Sequence, residues 1–120
     1  MGISFIFRKP EFPIICDLDG LVIAAKSKAA LEKQLSVREY PKESSYSVID
    51  ISGEGWVFHP DIMAISPMTA KKRWFKKEVI AIYNNRKNII SKAVYSQKSI
   101  AAKRFENIFI EIVELLLKAH

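Results

Sequence analysis

Two carboxylates one residue apart, Asp17 and Asp19, and two imidazoles, His59 and His120, are the groups here best suited to chemistry near neutral pH. Paired carboxylates could serve as ligands for a hard divalent cation. A hard divalent cation needs several oxygen ligands, however, and two neighbouring carboxylates are too few. Read locally, Asp17-Leu18-Asp19-Gly20 is a hairpin turn, because Asp and Gly tolerate the dihedrals it needs. His59 lies near Glu54 and Trp56. An acid–base pair there, beside cations, would suit a small RNase that moves a 2′-hydroxyl proton and stabilises a phosphorane. His120 is the last residue. No glycine-rich phosphate loop, zinc-ligand spacing or serine elbow is present. The single cysteine, Cys16, follows Ile14-Ile15 and reads as a small buried hydrophobe.

Binding chemistry is better represented than catalytic chemistry. The net charge of +6 is unevenly spread. Residues 1–60 carry −1 and residues 61–120 carry +7; within 69–104, 11 basic residues face one acid, Glu78. An acidic partner is the natural inference. In Ser66-Pro-Met-Thr-Ala-Lys-Lys-Arg-Trp-Phe-Lys-Lys77, Thr69 as a helix cap would crowd Lys71, Lys72 and Arg73 into the first turn. Backbone N–H groups make that turn positive, so each misplaced cation costs about 0.3–1 kcal/mol, and such an end favours an anion. Were Ser66 the cap and Pro67 the first helical residue, the cations would fall in the second turn instead.

These side chains need elements to hold them. A chain of 120 residues with 49% hydrophobic content makes one domain with a core of its own. Short strands are expected at Ile3–Phe7, Ile14–Asp17, Leu21–Ala25, Tyr46–Ile51, Trp56–His59 and Ile62–Ile65, with a helix from Lys28 to about Leu35 capped by Ser27. Ser52-Gly53-Glu54-Gly55 signals a second hairpin. Phe75, Val79, Ile82 and Tyr83 share one face of a helix from about Ala70 to Asn85, which leaves Ile80 among lysines on the other. The last helix, about Ser99 to Lys118, has the clearest stripe: Phe105, Ile108, Phe109, Ile112, Val113 and Leu116. Ile110 and Leu117 widen it, which favours a central position over one shared with another chain. The stretch Lys87–Lys98 reads either as a broken helix or as a basic connector. Strands first and helices afterwards argue an α+β domain, helices packed on one face of an antiparallel sheet. No apolar run approaches the ~18 residues of a membrane span, no leader is visible, and Ile6 replaces the hydroxyl residue that myristoylation favours. Cytoplasm is the expected compartment.

Two resemblances bear on these readings. Ile14-Ile15-Cys16-Asp17-Leu18-Asp19-Gly20 resembles the first motif of the haloacid-dehalogenase phosphatases. That would make Asp17 the nucleophile and Asp19 the acid/base. Leu21 stands where that family has threonine, and no downstream acid pair completes its metal site. With Gly53-Glu54-Gly55-Trp56, Pro60, Ser66-Pro67, Lys72-Arg73-Trp74 and Tyr83-Asn84-Asn85-Arg86-Lys87, the whole chain resembles the small immunity proteins of bacterial contact-dependent and polymorphic toxins. This resemblance implies a non-catalytic protein, monomer or homodimer, that needs no cofactor or metal and blocks one toxin domain. Because this chain is basic, either the toxin has an acidic face or docking occurs away from its active cleft. The residues expected to meet the partner are Lys71, Lys72, Arg73, Trp74, Lys76, Lys77, Ile80, Arg86 and Lys87. The cations would steer association, with Ile80 and Trp74 as apolar anchors. The same cations could serve an RNA- or DNA-binding module, with Trp74, Tyr83 and Tyr95 stacking bases.

Overall fold

The computed structural model describes residues 2–70, 73–87 and 103–118. Along these residues run β1 (Ser4–Phe5), β2 (Ile14–Leu18), β3 (Leu21–Ala25), α1 (Lys28–Ser36), β4 (Tyr46–Asp50), β5 (Gly55–His59), β6 (Ala64–Pro67), α2 (Lys76–Asn84) and α3 (Phe105–Lys118). The strands form one sheet in the order β1-β6-β5-β4-β2-β3, antiparallel except where β1 lies parallel to β6. The chain is α+β.

The expected Asp-Gly hairpin is present. Asp19 (φ 56°) and Gly20 (φ 98°) both take left-handed angles between paired Leu18 and Leu21. That turn lets two right-twisted strands meet without splaying. Cross-strand register sets Cys16 beside Ile23 and Val48, Val48 beside Trp56, and Phe58 beside Ile65. These residues line one core, which Leu31 and Leu35 of α1 complete. Ile15, Val22, Ala24 and Ile49 point the other way, into a second core with α2 and α3.

Helices therefore cover both faces of the sheet, not one as the order of elements suggested. Consecutive apolar residues in β2, Ile14, Ile15 and Cys16, are all buried, so neither face of that strand can be left to water. Ser27 caps α1 as expected, its Oγ accepting from Ala30 N at 3.1 Å. In α3, Ile108, Phe109, Ile112, Val113 and Leu116 are buried, whereas Ile110 is 42% exposed. The expected start of this helix at Ser99 lies outside the described residues.

The start of α2 differs from either expected one. Neither Thr69 nor Ser66 caps it; Phe75 stands at the cap and Lys76 is the first helical residue. The backbone just before it is used elsewhere. Arg73 forms an antiparallel bridge with Glu54, and Trp74 N donates to Gly53 O at 2.7 Å. At the other end Lys87 N donates to Gly20 O, also at 2.7 Å. The β2–β3 and β4–β5 turns lie at opposite ends of the sheet, since β2 and β4 run antiparallel. A nine-residue helix is about 13 Å long. It spans most of the ~17 Å of a five-residue strand. So α2 crosses the sheet from one turn to the other, with a few flanking residues closing the gap.

Candidate docking site

The site is built on a buried carboxylate. Asp50, 1% exposed at the end of β4, accepts hydrogen bonds through both oxygens. Its Oδ1 takes Ser52 N (3.0 Å), Ser52 Oγ (2.6 Å) and Glu54 N (3.0 Å). Its Oδ2 takes Glu11 N (3.1 Å) and Trp56 Nε1 (3.0 Å). A buried charge is tolerated only when donors replace its water, and these five do so. They fix the β4–β5 turn and leave the carbonyls of Ser52 and Gly53 available to the chain beyond.

Two residues use those carbonyls. Arg73 Nη1 donates to Ser52 O at 2.9 Å, and Trp74 N meets Gly53 O. Gly53 has φ 90°, and a Cβ added to it would stand 3.3 Å from Trp74 O and 3.5 Å from the Phe105 ring. A glycine is required here for both its angles and its closeness. The first turn of α2 then starts against the turn preceding α3: Lys76 Nζ donates to Lys103 O at 2.7 Å. Glu78 Oε1 accepts from Phe75 N at 3.0 Å and satisfies one of the free donors of the helix start.

At this shared end of α2 and α3 lies a cavity of about 520 Å³, lined by Ser52, Arg73, Trp74, Phe75, Lys76, Lys77 and Phe105. Three aromatic rings wall it. Phe105 is stacked on Phe109 behind it, centroids 5.7 Å apart, and Phe75 is 64% exposed at its edge. On this rim Arg73 and Lys76 each donate to a backbone carbonyl, of Ser52 and Lys103 respectively. Lys77 is exposed.

Four of the nine expected contact residues, Arg73, Trp74, Lys76 and Lys77, come together in this cavity. Two others fall elsewhere and correct the expectation. Ile80 is fully buried in the second core, held between the sheet and α3, so it is no surface anchor. Arg86 is 4% exposed; its guanidinium lies 3.9 Å over the Tyr83 ring and donates to Tyr83 O, facing inward. Lys87 is exposed but sits at the opposite end of α2, its side chain lying over Gly20. Lys71 and Lys72, like Tyr95 and His120, lie outside the described residues.

The catalytic candidates are engaged in other bonds. Asp17 Oδ1 accepts from Gly20 N at 2.7 Å, inside its own turn. His59 and Glu54 flank β5 at opposite ends: His59 Nε2 is 2.9 Å from Ser66 Oγ, while Glu54 makes a bidentate pair with Arg8. Among the described residues no group of His, Cys, Asp and Glu is placed to hold a metal, and no helix is long and apolar enough to cross a membrane. Comparison with family models, curated proteins and solved structures finds no match to any part of this chain.

Phe75, Phe105 and the organising Asp50 were not among the expected site residues. One local signal existed for Asp50: an aspartate two residues before Ser52-Gly53 is placed to hydrogen-bond the turn that follows.

Proposed function

We propose that this chain is a non-catalytic binding protein that docks an acidic protein surface, most concretely an immunity protein that neutralises a cognate bacterial toxin domain in the cytoplasm. One observation carries the reading: a cavity walled by Trp74, Phe75 and Phe105 and rimmed by Arg73, Lys76 and Lys77. An apolar side chain seated between carboxylates complements that arrangement in shape and charge. Nucleic acid is the weaker candidate, because a phosphate backbone calls for cations along a track, and these converge on one concavity. The engagement of Asp17 within a turn and of His59 with serine supports a binding role over a catalytic one.

The test uses the C-terminal domain encoded by the reading frame immediately upstream. Calorimetry should show a one-to-one complex with the wild-type chain. Lys77→Glu should lower the association rate roughly three- to tenfold at low salt, an effect that fades as salt screens the charge. Absence of a complex, or a chain that purifies with bound nucleic acid and an elevated 260/280 nm absorbance ratio, would overturn the reading.

A further inference from the structure

At the other end of the sheet two aliphatic side chains stand in water where polar residues usually sit. Val37 closes the C-terminal end of α1 and is 73% exposed; Ile62 occupies the β5–β6 turn and is 63% exposed. Turns ordinarily carry Gly, Asn, Asp or Ser, which suit the backbone and the solvent together. The next residue, Met63, takes φ 48°, a left-handed angle that glycine or asparagine would meet with less strain. Polar residues would serve the fold better at this turn, and strain kept beside an exposed aliphatic side chain points to contact.

The chain neighbours of these two, Ser36 and Arg38 on one side and Asp61 and Met63 on the other, line one groove of about 460 Å³. Its charges balance, Arg38 and Lys42 against Glu32 and Asp61. Glu32 accepts from Ile3 N, and Lys42 lies 3.4 Å over the Tyr40 ring, so both are engaged within the chain. Arg38 and Asp61 differ. The half-buried Arg38 gives one guanidinium nitrogen to Gln34 O at 2.9 Å, and neither residue forms an ion pair among those described. Partial burial lowers the Arg38 pKa, as expected of a cation that gives up water without gaining a carboxylate.

A groove that holds one unmatched charge of each sign, with aliphatic side chains at its edges, complements a copy of itself. About a twofold axis, Arg38 of one chain meets Asp61 of the other and the reverse, so each contact is made twice. Charge also selects this face. A chain of net charge +6 repels its own copies, most of all across the basic start of α2, whereas the four charged residues of the groove sum to zero.

We infer that two copies of this chain pair through this groove, each seating its Ile62 beside Leu35 of the other and exchanging the Arg38–Asp61 ion pair. The β4–β5 and β5–β6 turns cap opposite ends of β5, so pairing leaves the aromatic-walled cavity of each copy uncovered.

Sedimentation velocity of the full chain, from micromolar to millimolar concentration, tests the pairing. The wild type should pass from monomer to dimer within this range, and Ile62→Asp should weaken the dimer about tenfold or more. Arg38→Asp or Asp61→Arg alone sets like charges across the axis and should abolish it. An equimolar mixture of those two variants restores both ion pairs and should recover the dimer, which also shows that each variant is folded. A wild type that stays monomeric throughout would overturn the inference. So would a dimer that Ile62→Asp leaves intact, a mixture of the charge variants that stays monomeric, or growth past the dimer into longer assemblies.

Discussion

Replacing Asp50 by asparagine tests whether one carboxylate organises the end of the sheet on which the aromatic-walled cavity stands. The side chain keeps its shape but loses an acceptor. Asparagine can present its oxygen to the Oδ1 partners, Ser52 N, Ser52 Oγ and Glu54 N; its amide nitrogen must then face Glu11 N and Trp56 Nε1. Two buried donors are left opposing a third. At about 1–3 kcal/mol for each buried group left unsatisfied, and allowing for relaxation, the loss is about 3 kcal/mol. In a chain of this length that lowers the melting temperature by roughly 10 °C, and it leaves the protein folded, since total stability is on the order of 6–18 kcal/mol. Urea unfolding followed by tryptophan fluorescence measures it directly, because Trp56 holds one of the lost bonds. The turn should loosen with it, so amide exchange at Trp74, whose N–H is bonded to Gly53 O, should quicken more than exchange in β2. A melting temperature within about 2 °C of the wild type would refute the reasoning.

Two further outcomes follow from ionisation. Arg8→Ala should raise the Glu54 titration midpoint towards the ordinary carboxyl range, because the hydrogen bond from Arg8 is the first cause of its depression. A carboxyl depressed in the folded state adds stability above its unfolded pKa and loses it as pH falls through the folded value. The deficit of Arg8→Ala should therefore be present at neutral pH and vanish in acid, below the folded midpoint, as carboxyl-detected NMR and pH-dependent melts would record. Burial, with a smaller contribution from the charge of Asp17, pushes the Cys16 thiol well above its usual range. It should resist Ellman's reagent at mildly alkaline pH in the folded protein and react fully once denatured, and rapid native labelling would contradict its place in the core.

Features encoded by neighbouring residues were readable from the sequence. The β2–β3 hairpin was legible because Asp19 and Gly20 are the residue types that adopt its angles, and α3 because its apolar spacing repeats over four turns. The start of α2 was not, because what ends the extended chain there is Gly53 O, a partner 21 residues upstream. Ile80 was misread for a related reason. Spacing along a helix separates its faces but does not say how many are covered, and α2 is held by both the sheet and α3. The cavity was half legible. Its cations cluster in the sequence, whereas Phe105 arrives from another helix, and Phe75 lay in plain view but was assigned to the buried stripe.

The fastening of α2 has a kinetic consequence. Nine residues are too few to persist as a helix in water, so this one owes its existence to what surrounds it. Its tethers, Trp74 to Gly53 and Lys87 to Gly20, can form only after both hairpins have closed. We therefore predict that it forms late in folding, a clasp over a sheet already assembled, so that amide protection in β2 and β4 precedes protection at Trp74 in pulse-labelled refolding. The rim of the cavity would be completed in that same last step.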